Sequence, residues 1–274
     1  MSNIMKRTEL TLEQVHDKEL KILEYFIEVC NKNNLQYFLV YGSLLGAVRH
    51  KGFIPWDDDI DVGMMRKDYD ALATILRNSN DKLFFWQDDI SEPSYPLSFG
   101  KIRLNNTYVY EEDFQHLNVH QGLFIDVYPF DYCADNDFIV AILNKLVQVI
   151  SMSLLFKSAR PYKRKLPHLY SQLICEMTSC LPYSIIKSLR RIVIWVSRRL
   201  SSKKRLSFIG GNVFPRGVYL LDWFKRFKTV PFEGLNAQIP EEWDAILKTT
   251  YGDYMTLPSL NCRLRHFPKA EVIN

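Results

Sequence analysis

The run Pro55-Trp56-Asp57-Asp58-Asp59-Ile60-Asp61 crowds carboxylates into a segment with apolar neighbours. Like charges at this spacing repel, and flanking Trp56, Ile60 and Val62 imply partial burial, which adds a desolvation cost. A divalent cation relieves both. Carboxylate oxygens are hard ligands that suit Mg²⁺ or Mn²⁺, and Mg²⁺ commonly takes one or two carboxylates together with substrate phosphates. The plain alternative is a solvated acidic loop. Alternation argues against it. If Asp57–Met64 is extended, Asp57, Asp59, Asp61 and Gly63 share one side, and Asp58, Ile60, Val62 and Met64 take the other. Asp58 then points away from the candidate metal site.

A second feature lies upstream. Tyr37–Tyr41 is a short apolar run that reads as a buried strand, Gly42-Ser43 ends it, and Leu44–Arg49 reads as a helical turn. Glycine lets a backbone approach a phosphate closely, and a helix N-terminus offers unsatisfied N–H groups to an anion. Ser43 can add a hydroxyl donor. Gly-Ser alone says little, but beside an acidic strand it suggests a site for a metal and a phosphate together.

Several elements must position these residues. Thr11 and Gln14 form a candidate capping box for a first helix that carries Val15, Glu19, Ile22, Leu23, Phe26 and Cys30 at helical spacing. Glu19 is the one charged member of that stripe. Asp68–Leu76 reads as a helix, and Phe84–Gln87, Phe99–Leu104, Tyr108–Glu111 and Gly122–Phe130 read as strands. Interleaved strands and helices give an α/β (α+β) core over residues 1–135. Residues 136–274 read as a helical, partly basic extension and a C-terminal segment packing on that core. Phe138–Leu155 and Tyr183–Leu200 are its helices, separated by a basic segment at 157–167, and Glu241–Thr249 is a helix in an aromatic-rich, Gly/Pro-rich tail.

Composition bounds the rest. With 274 residues, 47% hydrophobic and 24% charged, the chain is an ordinary globular protein rather than a disordered one. A net charge of +4 is too mild to imply nucleic acid. The five cysteines, Cys30, Cys133, Cys175, Cys180 and Cys262, include no CxxC pair, which argues against zinc and fits a reducing compartment. Phe138–Phe156 is the nearest approach to a membrane span, interrupted by Asn144, Lys145 and Gln148. The expected location is cytoplasmic. Peripheral contact with the inner face of the cell membrane would run through residues 183–205, where Ile185, Ile186, Leu189, Ile192, Val193 and Val196 form a stripe among basic residues. The competing reading is a core-packing helix with a solvated basic face.

The segment Tyr41-Gly42-Ser43-Leu44-Leu45-Gly46-Ala47-Val48-Arg49-His50-Lys51-Gly52-Phe53-Ile54-Pro55-Trp56-Asp57-Asp58-Asp59-Ile60-Asp61 resembles the signature of LicD-type phosphotransferases, a fukutin-related family with a nucleotidyltransferase-like mixed-sheet fold. Gly122–Asp131, Pro231-Phe232-Glu233-Gly234, Tyr251–Met255, Leu257-Pro258 and Arg265-His266 are similar to later family segments. The resemblance implies transfer of phosphocholine, or a similar phospho-alcohol or phospho-sugar, from a CDP-activated donor. The implied acceptor is a cell-surface glycan (lipopolysaccharide, teichoic acid or capsule) or a lipid-linked glycan.

It also implies roles. Asp59 and Asp61 are the principal metal ligands, and Asp126, flanked by Ile125 and Val127, is either the third carboxylate or a structural strand-end acid. Asp57 joins the metal site, deprotonates the acceptor hydroxyl, or supports the loop. Gly42 and Ser43 approach the donor phosphates, and Arg49 suits bidentate phosphate binding. His50 is an acid, a base or a polar loop residue, with Lys51 beside it. Lys101 and Arg103 face either the site or solvent, and Asp131, past Pro129, reads as a turn residue. Two rivals share these residues: a nucleotidyltransferase using an NTP, and a non-catalytic scaffold at a membrane surface.

Overall fold

A computed structural model describes residues 7–112, 114–158, 173, 175–178, 180–209, 217–259, 263 and 269–273. Cys262, Arg265, His266 and most of the basic segment 157–167 lie outside the described residues.

Helix α1 (Leu12–Lys32) starts where the capping box places it. The Gln14 N–H donates to Thr11 Oγ1, and the Thr11 N–H donates to Gln14 Oε1. Its buried face is Val15, Glu19, Ile22, Leu23, Phe26 and Cys30, the stripe visible in the sequence. Each large apolar side chain there stabilises the fold by about 1.5–3 kcal/mol on burial.

The central sheet runs β2 (Phe38–Leu39), β3 (Asp61–Met65), β7 (Phe124–Tyr132), β5 (Gly100–Leu104) and β4 (Phe84–Gln87). It is mixed, with β3 and β7 parallel and the other pairs antiparallel. A short pair, β8 (Arg205–Ser207) and β9 (Val218–Leu220), continues from the far end of β7. Helix α2 (Tyr41–Arg49) follows β2, and α3 (Arg66–Arg77) follows β3. A separate sheet joins β1 (Arg7–Glu9), β12 (Ala270–Ile273) and β6 (Thr107–Val109), and β10 (Phe227–Phe232) and β11 (Leu235–Pro240) form a hairpin. The main core draws on both halves of the chain, with Phe26, Phe38 and Phe130 clustering with Leu206, Phe232 and Leu247, the last from α6 (Trp243–Tyr251).

Two sequence expectations change. The acidic segment is not a strand from Asp57. The Asp57 N–H donates to the Ile54 carbonyl at 2.9 Å, closing a turn over Pro55-Trp56, and β3 begins only at Asp61. Period-two alternation therefore does not govern residues 57–60. Asp131 is no turn residue. It lies inside β7, 1% exposed, with both carboxylate oxygens accepting from Arg66 at 3.0 and 2.6 Å. The expected helix over Phe138–Leu155 is present, and Asn144, Lys145 and Gln148 do not lower its hydropathy below that of a span. It runs unbroken as α4 (Asp137–Ser158), and by length and hydropathy its Asp137–Lys157 stretch could cross a bilayer.

Helix α5 (Tyr183–Arg199) packs against α4 with Ile186 of its apolar stripe buried. Lys187 and Arg190 are buried, whereas Ile185, Leu189 and Ile192 from the apolar stripe are exposed.

Candidate active site

The site forms where α2 meets the start of β3. Asp58, Asp59 and Asp61 are buried and Asp57 is half-buried. One carboxylate oxygen from each of Asp57, Asp58 and Asp59 lies within 4.8 Å of the others, a grouping able to hold a metal ion. Asp58 thus joins the cluster rather than pointing away, because the turn frees these residues from strand geometry. Asp61 and Asp126 are register partners on parallel β3 and β7, which sets their backbones about 4.8 Å apart.

Gly42 explains itself here. A Cβ at this position would lie 2.6 Å from Asp57 Oδ2 and 4.0 Å from Asp61 Oδ2. The missing side chain lets the first turn of α2 sit against the acidic cluster. That helix has Val40 as N-cap with no side-chain cap hydrogen bond. Ser43 is buried, and its Oγ accepts from the Asp61 N–H at 2.8 Å. Its hydroxyl oxygen thereby ties α2 to β3, and the hydroxyl proton stays available for donation.

Both basic side chains of β5 are buried rather than solvent-facing. Lys101 Nζ lies 2.7 Å from Asp126 Oδ1 and 3.3 Å from the centre of the Phe124 ring. Arg103 donates to Gln87 Oε1, the Gly122 carbonyl and Glu111 Oε2. Arg103 is therefore a structural residue, while Lys101 positions Asp126 directly. On the other side of Asp126, the Tyr128 hydroxyl donates to Oδ2 at 3.1 Å. Burial pushes that hydroxyl well above the usual phenol range, and Asp126, Asp61 and Asp59 push it the same way.

At the other end of α2 stands a cationic bank. Arg49 Nε donates to His50 Nε2 at 2.9 Å, and Arg49 Nη1 donates to the Tyr254 carbonyl at 2.9 Å. Since His50 Nε2 accepts, the neutral ring carries its proton on Nδ1. Burial lowers the pKa of both groups, and a neighbouring cation lowers each further, Arg263 for Arg49 and Arg49 for His50. Arg263 also lies over the Trp56 ring at 4.4 Å, next to Asp57 in the chain. Mutually repelling, partly desolvated cations of this kind favour an anion between them. Lys51 is exposed, in a left-handed conformation at φ 62°.

The C-terminal segments hold this bank in place. Glu233, at the tip of the β10–β11 hairpin, accepts from the Phe53 N–H at 3.1 Å and packs against Gly52. Tyr254 supplies the carbonyl to Arg49 and donates its hydroxyl to Asp244.

One residue went unassigned in the sequence. Glu19, fully buried on α1, has no hydrogen-bond partner at either carboxylate oxygen. Burial raises its pKa well above the carboxylate range, and the charges of Asp59, Asp58, Asp57 and Asp126 raise it further. Its break in the apolar stripe of α1 was the available signal. The cluster thus holds this orphaned acid toward its neutral form, and the crowded negative charge of the cluster itself is what a divalent cation fits. A separate cavity of about 280 Å³, lined in part by Arg66, Arg77, Arg190 and Arg198, begins at the opposite end of β3 and contains none of these acids.

Comparison with known proteins follows this geometry. Residues 34–147 match the family described as LicD/FKTN/FKRP, nucleotidyltransferase domain. The chain is 26% identical over 251 residues to the lipopolysaccharide cholinephosphotransferase LicD of Haemophilus influenzae, covering 91% of this chain and 93% of that protein. It is 46% identical over 44 residues to the human ribitol 5-phosphate transferase FKRP, 16% of this chain and 9% of that one. An uncharacterized protein of Rickettsia prowazekii is 53% identical over 49 residues, 18% of each chain.

Proposed function

We propose, from the premise that this chain is a LicD-family transferase of phosphorus-containing groups, that it moves phosphocholine or a related phospho-alcohol or phospho-sugar from a CDP-activated donor to a cell-surface glycan. The observation that carries this reading is the arrangement around α2. Its uncapped first turn abuts Asp57 and Asp61, and its last turn carries Arg49. A diphosphate donor needs both a cation-holding cluster and a basic clamp.

In this reading Asp59, Asp61 and Asp126 hold Mg²⁺ or Mn²⁺, which neutralises charge on the donor diphosphate when bound. Lys101 and Tyr128 fix Asp126 through their contacts at its two oxygens. The N–H groups of Gly42 and Ser43 receive a donor phosphate oxygen, while Arg49, His50 and Lys51 bind the diphosphate from the basic side. Asp57 is more exposed than Asp58, Asp59 and Asp61, so an acceptor reaches it most readily. It takes the proton as the glycan hydroxyl attacks the phosphorus bearing the alcohol. The new O–P bond forms as the bond to the bridging oxygen breaks, and CMP leaves. The reading assigns this chemistry to the cytoplasm, where nucleotide-activated donors are held.

Asp59→Asn and Asp61→Asn are each expected to lower transfer by about a thousandfold or more, with unchanged circular dichroism. Near-normal turnover in both variants would sink the assignment.

A further inference from the structure

Helix α5 buries two cations and exposes much of its apolar stripe. Lys187 and Arg190 are 4% and 2% exposed, whereas Ile185, Leu189, Ile192 and Trp195 are 45%, 42%, 55% and 53% exposed. The inward cations are satisfied by the loop after β4. Lys187 Nζ donates to the carbonyls of Asp89 and Pro93, and Arg190 donates to those of Pro96 and Leu97. The fold therefore anchors this helix by two buried cations together with Ile186, Val193 and Ile194, and leaves the rest of its apolar stripe facing out.

The neighbouring α4 buries Val140, Val147 and Leu154 but also carries Phe138, Ile142 and Leu146 outward at 73%, 44% and 46% exposure, spaced four apart on one face. Exposed Arg191, Arg198 and Arg199 flank the apolar residues of α5, with Lys203 and Lys204 just beyond its end. Arg199 lies over the Trp195 ring at 5.2 Å. A cavity of about 360 Å³, lined by Tyr132, Trp195, Arg198, Arg199 and Lys203, opens at this end.

We infer that the outer faces of α4 and α5 dock on an anionic lipid bilayer. Apolar residues enter the acyl boundary, Trp195 sits at headgroup depth, and the basic end of α5 meets lipid phosphates. Charge complementarity selects this occupant. A second copy docking by a twofold contact brings the same cationic rim against itself, which an anionic surface does not. The inference does not depend on the reaction chemistry.

The test is co-sedimentation of the full chain with vesicles of phosphatidylcholine alone or mixed with phosphatidylglycerol. Binding is expected on the mixed vesicles and not on the neutral ones. Each exposed cation contributes about fivefold near an anionic surface, so the R199E/K203E/K204E triple variant should lose on the order of a hundredfold. The I192S/W195S double variant should lose about tenfold or more. Should the double variant misfold, the triple variant, whose positions are all exposed, decides alone. Equal binding to both vesicle types, or full binding by the triple variant, overturns the inference. So does a concentration-dependent dimer abolished by these substitutions in a chain that ignores lipid.

Discussion

At the scale of single residues, the acidic cluster depends on what is missing as much as on what is present. Gly42 leaves the space that Asp57 Oδ2 occupies. Gly42→Ala forces that carboxylate to swing away, and alanine is the better helix former, so stability should hardly change. Transfer should fall about a hundredfold, as expected when a reacting group is displaced by about an ångström. Turnover beside the thermal midpoint checks this, and a fully active variant contradicts it. Glu19 makes a prediction of the opposite kind. Its folded pKa is raised, so the unfolded chain releases the proton first, and stability falls as pH climbs from about 4.3, the unfolded value, through the folded one. Glu19→Gln removes that loss. In chelator, the variant should melt above the parent at pH 8, with the gap closing below about pH 4. A variant that melts lower at pH 8 means the carboxylate is held by a partner its surroundings do not show.

At the scale of elements, the sequence reveals period and hides direction. The stripe of α1 appears in full, down to the exceptional Glu19, because a buried helix against a sheet has one possible orientation. The stripe of α5 is equally visible, yet periodicity cannot say which side faces in. The carbonyls of the 89–97 loop, supplied from far away in the chain, draw Lys187 and Arg190 inward beside Ile186. The acidic turn is hidden for a similar reason: the hydrogen bond from Asp57 to Ile54 overrides an alternating pattern that fits a strand. The strands β1, β6, β8, β9 and β12 have three or four residues, too few for a period, and their pairings are largely non-local. The orientation of α5 is tested by stability. Arg190→Leu strands the carbonyls of Pro96 and Leu97 and one partner of Asp89, and should cost about 3 kcal/mol, or about 5–10 °C in Tm. Ile192→Ser, on the exposed face, should cost about 0.5 kcal/mol or less. Thermal melts of the two side by side measure this, and the reverse order contradicts the orientation.

At the scale of the whole molecule, the C-terminal half serves the site as well as the core. The hairpin tip at Glu233 fixes the Gly52-Phe53 loop, and Tyr254 fixes Arg49, so segments far apart in sequence assemble the basic end of α2. This gives the distant C-terminal motifs a physical task that the sequence could register only as a pattern. The site as a whole pairs a carboxylate cluster with a basic bank, and in the proposed function that pairing receives a nucleotide diphosphate donor. The most direct measurement is a donor panel on the full chain with a glycan acceptor, comparing CDP-choline, other CDP-alcohols and NTPs, each with Mg²⁺, with Mn²⁺ and with chelator, and identifying the nucleotide released. The account predicts CMP release from a CDP-alcohol, dependent on metal and lost in Asp59→Asn. Pyrophosphate release from an NTP, or CMP release that persists in chelator, would contradict it.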